Sequence, residues 1–258
     1  VAFSIFPGEV MGLVGENGAG KSTLVKIISG FDNGYTGSLK LNKMETRFSS
    51  PGKAEKLGIA IAQQELSLIP TMSVAENIFL SGDVAPVFAT KTTLATKAKG
   101  FLSEVGLDYI DPLILVDRLS VGEQHLVEVA RLIAHDPQIL ILDEPTAALG
   151  ESDSIRILEM VNRLSDRGKS IIYVSHRLDE IFKICDRITV LRDGKSINSI
   201  PVSELDVNSL VEIMLGRELE NMFPPRGKKI KGKPLIKVKN AFHTHKLIKN
   251  SNLKVIFF

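Results

Sequence analysis

The chain has 258 residues, a formal net charge of +2 and one cysteine, Cys185. This length allows one large domain or two small ones. The near-balanced charge argues against a dedicated nucleic-acid-binding protein, and a single cysteine excludes an intrachain disulfide. No apolar run approaches the roughly 18 residues that cross a bilayer, and the first residues do not form a convincing signal peptide. A disulfide-free globular protein is therefore expected.

The first predicted elements are strands. Residues 1–15 read as two strands joined at Pro7-Gly8. The chain has no initiator methionine and begins within an alternating strand pattern, so we expect a fragment of a longer protein. The second strand, Val10–Val14, leads into a glycine-rich loop. A helix follows that loop and should end at Gly30, a plausible glycine after a helix C-cap.

That loop, Gly15–Thr23, fits the pattern G-x-x-x-x-G-K-[ST] between a strand and a helix. Its glycines let backbone N–H groups turn inward, and the helix start adds unpaired N–H groups, so the loop can hold an anion. Lys21 would reach the β- and γ-phosphates, and Ser22 would ligate Mg²⁺. The alternative is an ordinary glycine-rich turn, which the strand and helix disfavour. The phosphate-binding candidates are Gly15, Glu16, Asn17, Gly18, Ala19, Gly20, Lys21, Ser22 and Thr23.

The next segments predict an edge strand at 37–41, a helix entered through Ser49-Ser50-Pro51 and a strand at 57–62. Gln63 and Gln64 end that strand. An amide can accept a hydrogen bond from water and also contact Mg²⁺, and by chemistry alone the two glutamines are equal candidates for such a role.

Residues 72–135 predict a helical subdomain inserted between strands, with helices at 73–80, 91–105 and 120–134. Ser73 and Glu76 form a capping-box pattern at the start of the first. Strands and helices then alternate to the end of a last helix at about 203–217, which predicts an α/β fold with a parallel core sheet. The strands are expected at 139–142, 171–174 and 188–191, and the helices at about 151–167 and 177–186.

Polar residues follow two of these strands directly. Asp143 and Glu144 follow Ile139–Leu142, and His176 follows Ile171–Val174 after one serine. Ligand sites in α/β sheets lie outside the carboxyl ends of strands. Asp143 would hold Mg²⁺ through its water shell, Glu144 would orient or deprotonate an attacking water, and His176 would hydrogen-bond the γ-phosphate. The alternatives are a helix-capping carboxylate and a structural histidine.

The stretch Leu119–Gln124 opens the third helix of the inserted block. The Ser120 hydroxyl, the Gly122 backbone and the helix N-terminus together form a second anion site. Because this site lies in a different subdomain from the phosphate loop, two half-sites could be completed between two copies. Spacing alone favours the simpler alternative, an ordinary serine-capped helix.

Five motifs occur in the order, and at roughly the spacing, of an ABC transporter ATPase, which the chain resembles over residues 1 to about 218. Gly15–Thr23, Gln64, Leu119–Gln124, Ile139–Pro145 and Ser175-His176 resemble its Walker A, Q-loop, signature, Walker B and switch histidine. The finer resemblance is to bacterial sugar-importer ATPases of the ribose, galactose, xylose and arabinose type. It is carried by Gln64–Pro70, Val121 in the signature and Ser175–Phe182.

The resemblance implies a P-loop NTPase fold with a parallel core sheet, a small antiparallel β edge and an inserted helical subdomain. It implies ATP and Mg²⁺ as ligands, with Ser22, Gln64 and Asp143 organising the metal. It selects Gln64 over Gln63 and implies that Glu144 is the base and that His176 contacts the γ-phosphate. Ser120 and Gly122 would serve a partner's nucleotide. Hydrolysis would energise import of a monosaccharide at the cytoplasmic face of the membrane.

The implied partners are a second nucleotide-binding domain, in the same parent chain or a homodimer, an integral membrane permease and, indirectly, a sugar-binding protein; nucleic acid is not implied. The expected organisation is a nucleotide-binding domain at 1–218, with its helical subdomain at about 72–135, a linker at 219–233 and a stub of a second domain at 234–258. The family's adenine-stacking aromatic would lie upstream of Val1, and Gly150 and Glu123 depart from the usual pattern. The alternatives are an inactive or nucleotide-binding-only fragment and a soluble ABC ATPase without a transport role.

Overall fold

The computed structural model describes residues 1–63, 65–80 and 90–216. All of them lie in the first of two units into which the chain divides, Val1–Leu219 and Glu220–Phe258. The strands are β1 (Val10–Val14), β2 (Leu39–Leu41), β3 (Met44–Thr46), β4 (Ile59–Ala62), β5 (Ile139–Asp143), β6 (Ser170–Val174), β7 (Arg187–Arg192) and β8 (Lys195–Pro201). The predicted linker at 219–233 and stub at 234–258 lie outside the described residues.

The helices lie between and after these strands, and three of them follow one another between β4 and β5. The helices are α1 (Lys21–Ile28), α2 (Pro51–Lys56), α3 (Val74–Ile78), α4 (Lys91–Glu104), α5 (Val121–Ile133), α6 (Glu151–Asp166), α7 (Leu178–Ile184) and α8 (Val207–Leu215), with 3₁₀ turns at Val116–Arg118 and Val202–Glu204. In the described part of the chain, none of them has both the length and the apolar character that a bilayer crossing requires.

A six-stranded sheet in the order β4–β5–β6–β1–β7–β8 forms the centre. Its first five strands are parallel, which confirms the predicted parallel core, and β8 is antiparallel to β7. The strand β8 was not predicted, because its largely exposed residues form no apolar run. The turn Asp193-Gly194, with φ of 49° and 73°, has the conformation that joins two such strands in a hairpin.

Burial on both faces explains the continuous apolar runs of the central strands. Every residue of β1 and of β6 is buried, as in parallel sheets covered by helices on both sides. Val10 and Tyr173 belong to one hydrophobic cluster and Leu13 and Ile172 to another, because successive side chains point to opposite faces. The sheet therefore has a hydrophobic core on each face, and these two cores fix the strands from which the loops begin.

The predicted helical block is present as α3, α4 and α5. The Ser73–Glu76 capping box is formed at the start of α3, as predicted. Phe79 and Phe101 pack edge to face with ring centroids 6.0 Å apart and join the end of α3 to α4. The small antiparallel edge is also present, as the hairpin of β2 and β3.

The predicted strand before Pro7-Gly8 is wrong, because residues 1–6 form no strand. Their backbone groups bond to side chains instead of to a neighbouring strand. Ala2 N donates to Ser196 Oγ at 2.9 Å, and Ser4 O accepts from Arg187 Nη2 at 2.6 Å. The apolar alternation still has a consequence, since Phe3 and Ile5 pack against the core. An alternating pattern thus fixes which face is buried, but strand pairing needs a neighbouring backbone.

Candidate functional site

Four adjacent strands end at one edge of the sheet. In the order β4–β5–β6–β1 they are parallel, so the segments that follow them share one rim. Gly15–Thr23 follows β1, Asp143 is the last residue of β5, and Ser175-His176 follows β6. Gln64, which follows β4, lies outside the described residues. The predicted gathering of the other three groups at one rim is therefore observed.

The glycine-rich loop needs its glycines for two different reasons. Gly18 and Gly20 have φ of 85° and 103°, a region that L-residues with side chains rarely adopt. At Gly15 a Cβ would lie 2.3 Å from the carbonyl oxygen of Leu191 at the end of β7. The start of the loop therefore passes so close to the backbone of β7 that only glycine fits there.

The start of α1 faces this loop with free donors. Gly20 is the N-cap, and none of the described side chains caps the helix. The first N–H groups of a helix have no partner within the helix, and its dipole is positive at this end. Helix start and loop together form the expected anion-binding geometry.

Lys21 is the buried cation of the loop. Its side chain lies against the loop backbone, where Nζ donates to Gly15 O at 2.7 Å and to Glu16 O at 3.2 Å. The residue is 8% exposed, whereas the neighbouring Ser22 is exposed. An anion in the loop would therefore meet an ammonium group already held there and a hydroxyl open to solvent.

Asp143 is a half-buried carboxylate at the end of β5. Burial raises the pKa of Asp143 above its ordinary value, and the adjacent Glu144 carboxylate raises it further, while Lys21 and Lys26 partly offset both effects. The ionised form is therefore poorly compensated in the ligand-free chain, and a cation at the rim would stabilise it.

Replacing Asp143 with asparagine is expected to raise the thermal midpoint at pH 7 by about 1–3 °C. A carboxyl whose pKa is raised in the folded state stabilises the fold at acid pH, and that contribution is lost as the pH rises from the ordinary value of 3.8 through the raised one. The difference between Asp143→Asn and the wild type should therefore shrink on acidification. Thermal unfolding between pH 4 and 8 checks this, with the exposed Asp108→Asn as a control. An unchanged or lower midpoint at pH 7 would contradict it.

Glu144 and His176 come together from neighbouring strands. Glu144 has φ of 51°, and its N–H donates to Val174 O of β6 at 2.9 Å. Its Oε1 lies 3.4 Å from His176 Nδ1, with 24% and 59% of the two side chains exposed. A left-handed conformation is uncommon in residues other than glycine, and the residues that adopt it cluster at functional sites. The two predicted catalytic side chains form one polar pair at the rim.

Ser120 is the N-cap of α5, as the simpler alternative predicted. Its Oγ accepts from Glu123 N at 3.2 Å, and Glu123 Oε2 accepts from Ser120 N at 2.8 Å, so a capping box is formed. The hydroxyl proton of Ser120 takes no part in these two bonds. Ser120 thus caps its own helix and lies at the helix N-terminus, where an anion could bind.

Gly122 lies where α5 meets α6. A Cβ at this position would be 2.4 Å from the carboxyl carbon of Asp153 in α6. The signature stretch therefore requires glycine for packing within its own chain. The structure gives no contact between Ser120 or Gly122 and the phosphate loop among the described residues, in keeping with the predicted separation of two half-sites.

The Glu123 carboxylate accepts hydrogen bonds from neighbouring residues of its own chain. Tyr109 OH donates to Glu123 Oε1 at 2.8 Å, and Arg156 Nη1 donates to the same hydroxyl at 3.0 Å. Burial opposes ionisation of Glu123, but hydrogen bonds from Ser120 and Tyr109 outweigh it and hold the pKa of Glu123 below its ordinary value. The carboxylate is therefore ionised and bonded back along its own chain.

Two buried acidic residues near the rim were missed by the sequence analysis. Glu128 of α5 accepts from Ser67 Oγ at 2.6 Å, and Arg131 donates to Ser67 O at 3.2 Å, which attaches the segment just after Gln64 to the signature helix. Glu180 of α7 lies beneath the loops that carry Glu144 and His176 and bonds to both. The available signal was an acidic residue on the apolar face of a helix, which a buried face does not accept without partners.

Comparison with known proteins gives a consistent result. The family model described as ABC transporter matches residues 1–147. The chain is 42% identical over 239 residues to ribose import ATP-binding protein RbsA 3 of Rhizobium meliloti, covering 93% of this chain and 47% of that protein. It is 40% identical over 245 residues to RbsA of Bacillus subtilis, covering 93% and 49%. The chain therefore spans about half the length of these relatives.

Solved structures agree at the level of the fold. An ATP-binding cassette of an ABC transporter, in its ADP conformation, superposes with a TM-score of 0.71 at 26% identity, covering 84% of this chain and 91% of that one. A dimeric ATP-binding cassette in a post-hydrolysis state, bound to ADP and Pi, gives a TM-score of 0.66 at 26% identity, covering 78% and 88%. The predicted fold class is confirmed.

Proposed function

The chain belongs to the ABC transporter family, and from that premise we propose that it binds and hydrolyses ATP with Mg²⁺ as one half of a composite site. The observation that supports this most is the shared rim. There the buried Lys21 lies in the glycine-rich loop after β1. The paired side chains of Glu144 and His176 follow β5 and β6, which lie beside β1 in the sheet.

The phosphate loop would hold the nucleotide by its backbone and by Lys21. The N–H groups around Gly18 and Gly20 and at the start of α1 would donate to the phosphates. Lys21 would exchange its bonds to Gly15 O and Glu16 O for bonds to phosphate oxygens. Because its side chain is already buried against the loop, little rotamer entropy remains to be lost on binding.

The residues present fit Mg²⁺. The Ser22 hydroxyl is exposed beside the loop, and the Asp143 carboxylate lacks full compensation for its charge. Gln64 would be the third group, though it lies outside the described residues. Among those residues, no cluster of three or more His, Cys, Asp or Glu could hold a metal, and Mg²⁺ bound with phosphates needs only one or two carboxylates. Bound Mg²⁺ neutralises charge that develops on the phosphoryl oxygens.

Glu144 would act as the base and His176 as the partner of the γ-phosphate. The Glu144 carboxylate is partly exposed, so a water molecule can reach it. Phosphoryl transfer depends chiefly on positioning and charge stabilisation. A fixed carboxylate that orients the water and a histidine that donates to the γ-phosphate oxygen meet those two needs.

The site would be completed by a signature helix from another domain. Ser120 and Gly122 would serve a partner's nucleotide, since they lie at the N-terminus of α5, where helix N–H groups can donate to an anion. The partner would be a second nucleotide-binding domain, in the same parent chain or a second copy. A related ATP-binding cassette is described as a dimer, which supports this arrangement.

We further propose that hydrolysis energises uptake of a monosaccharide through a membrane permease, with a sugar-binding protein as an indirect partner. The support is the naming of the relatives as ribose import ATP-binding proteins. The chain would then work at the cytoplasmic face of the cell membrane, as a peripheral subunit.

Uptake of labelled monosaccharides in cells that lack the gene encoding this chain tests the proposed transport role. The gene should restore uptake of at least one sugar, and the same gene carrying Glu144→Gln should not. Normal uptake of every sugar tested in the deletion strain would contradict the transport role while leaving ATP hydrolysis open to a separate assay.

A further inference from the structure

A buried carboxylate joins the two loops that carry Glu144 and His176. Glu180, in the first turn of α7, is 1% exposed. Its Oε2 accepts from Thr146 Oγ1 at 2.7 Å and from Ser175 Oγ at 3.4 Å. Thr146 is two residues after Glu144, and Ser175 directly precedes His176, so one side chain bonds to both loops.

A tyrosine and an arginine complete the environment of this carboxylate. Tyr173 OH donates to Oε2 at 2.8 Å, and Arg177 Nη1 forms an ion pair with Oε1 at 2.9 Å. Burial raises the pKa of Tyr173, as does the Glu180 carboxylate, so the phenol stays a donor. Arg177 N also donates to Ser175 Oγ at 3.0 Å. The carboxylate is thus held from several sides.

The network extends beyond the two loops. Arg177 Nη1 donates to Ser154 Oγ of α6 at 3.2 Å. The helices that follow the Glu144 loop and the His176 loop are therefore connected through the same arginine that pairs with Glu180. A change in the distance between the two loops would have to break at least one of these bonds.

The rim itself depends on this spacing. Glu144 holds a left-handed backbone conformation, which persists only where surrounding contacts maintain it. Its bond from N–H to Val174 O fixes its backbone to β6, but its carboxylate meets His176 only at 3.4 Å and with His176 largely exposed. Because this contact is long and exposed to solvent, it cannot fix the positions of the two loops by itself. Buried contacts beneath the loops must do so.

We propose that Glu180 is a positioning residue for ATP hydrolysis, which fixes the Glu144 loop through Thr146 and the His176 loop through Ser175. The inference rests on the proposed ATPase function and adds a residue to it. Because Glu180 is buried beneath the two loops, it would act through Thr146 and Ser175 rather than by contact with the nucleotide. It acts by keeping two loops at one separation while the nucleotide is bound.

The test compares two substitutions of Thr146 in the full chain. Thr146→Val keeps the shape of the side chain and removes the bond to Glu180, whereas Thr146→Ser keeps the hydroxyl. A small misplacement of a reacting group can cost up to about 100-fold in rate. We expect Thr146→Val to lower kcat by about 10-fold or more, with KM for Mg-ATP within about 2-fold, and Thr146→Ser to stay within about 2-fold of the wild type in both.

Tyr173→Phe is the matched control. It also removes one hydrogen bond to Glu180, but Tyr173 lies within β6 rather than in either loop. It should lower the thermal midpoint with a smaller effect on kcat than Thr146→Val. Thermal unfolding and calorimetric Mg-ATP affinity, measured on all variants, separate loss of fold from loss of positioning.

Three results would overturn the inference: a kcat of Thr146→Val within 2-fold of the wild type, equal loss in Thr146→Ser, or equal loss in Tyr173→Phe. Each presupposes a wild-type chain whose hydrolysis is removed by Glu144→Gln. The assays use protein that contains both halves of the composite site. If that wild type has no such activity, the proposed function fails; if it has, the three results above bear on this inference alone.

Discussion

Replacing Glu144 with glutamine is expected to lower the rate of ATP hydrolysis by about 10²–10⁴-fold, the contribution of a positioned general base. Glutamine has nearly the same volume and keeps an oxygen near His176 Nδ1, but it cannot take a proton from water. Binding of Mg-ATP should stay within about 3-fold of the wild type, because Lys21 and the loop amides are unchanged. Phosphate release in steady state, together with calorimetric binding, measures both.

Glu151→Gln is the control for this substitution. Glu151 is exposed in the first turn of α6, seven residues along the chain from Glu144. Its change should leave hydrolysis close to the wild-type rate. If Glu144→Gln hydrolyses ATP at more than about half the wild-type rate, the assignment of Glu144 as the base is wrong; a parallel loss in Glu151→Gln would point to a general effect of charge.

Replacing Lys21 with alanine is expected to weaken Mg-ATP binding by about 10- to 100-fold, since hydrogen bonds to a charged group contribute about 1.5–3 kcal/mol. Lys21 is buried within the loop, so its ammonium is poorly screened by solvent. The two carbonyls it now bonds, Gly15 O and Glu16 O, would lose their donor and face the phosphates uncompensated. Calorimetric titration gives the dissociation constant directly.

Lys26 offers a matched comparison on the same helix. It is exposed in the last turn of α1, away from the helix start. Lys26→Ala removes the same charge. Lys26 also acts on Asp143, but through solvent, and exposed charges interact weakly there, so the affinity should change by less than about 3-fold. Equal weakening by Lys21→Ala and Lys26→Ala would mean that net charge, rather than the loop, governs binding.

The rim could be predicted from the sequence because it depends on local patterns. An apolar run followed at once by Asp143-Glu144 or by Ser175-His176 marks the carboxyl end of a buried strand, and parallel strands bring such ends together. The insertion of β1 between β6 and β7 could not be predicted in this way, since strand order results from packing between distant segments. The resemblance to a family implied a parallel core sheet but no strand order.

The parts that were missed depend on tertiary neighbours. No local pattern reveals that Glu180 accepts from Thr146, 34 residues before it in the chain. The first six residues show the opposite error, because their alternating pattern predicts a strand although their backbone pairs with none. Side-chain networks and strand pairing are both settled by what lies across the fold.

Two residues of the rim lower the stability of the ligand-free fold. Glu144 has an uncommon backbone conformation, and Asp143 carries a charge that burial and Glu144 disfavour. Residues that bind and react often lower the stability of the fold that holds them. This explains why Asp143→Asn is expected to raise the thermal midpoint and why a network such as that of Glu180 is needed beneath the site.

The central claim is that Gly15–Thr23 holds the phosphates of a nucleotide, and amide NMR of the ¹⁵N-labelled full chain tests it most directly. Saturable shifts of the Gly18, Gly20, Lys21 and Ser22 amide resonances are expected on titration with Mg-ATP and with magnesium tripolyphosphate, because both present phosphates to the same N–H groups. Adenosine should leave these resonances in place. Shifts confined to other parts of the chain, or the same shifts with adenosine, would contradict the claim.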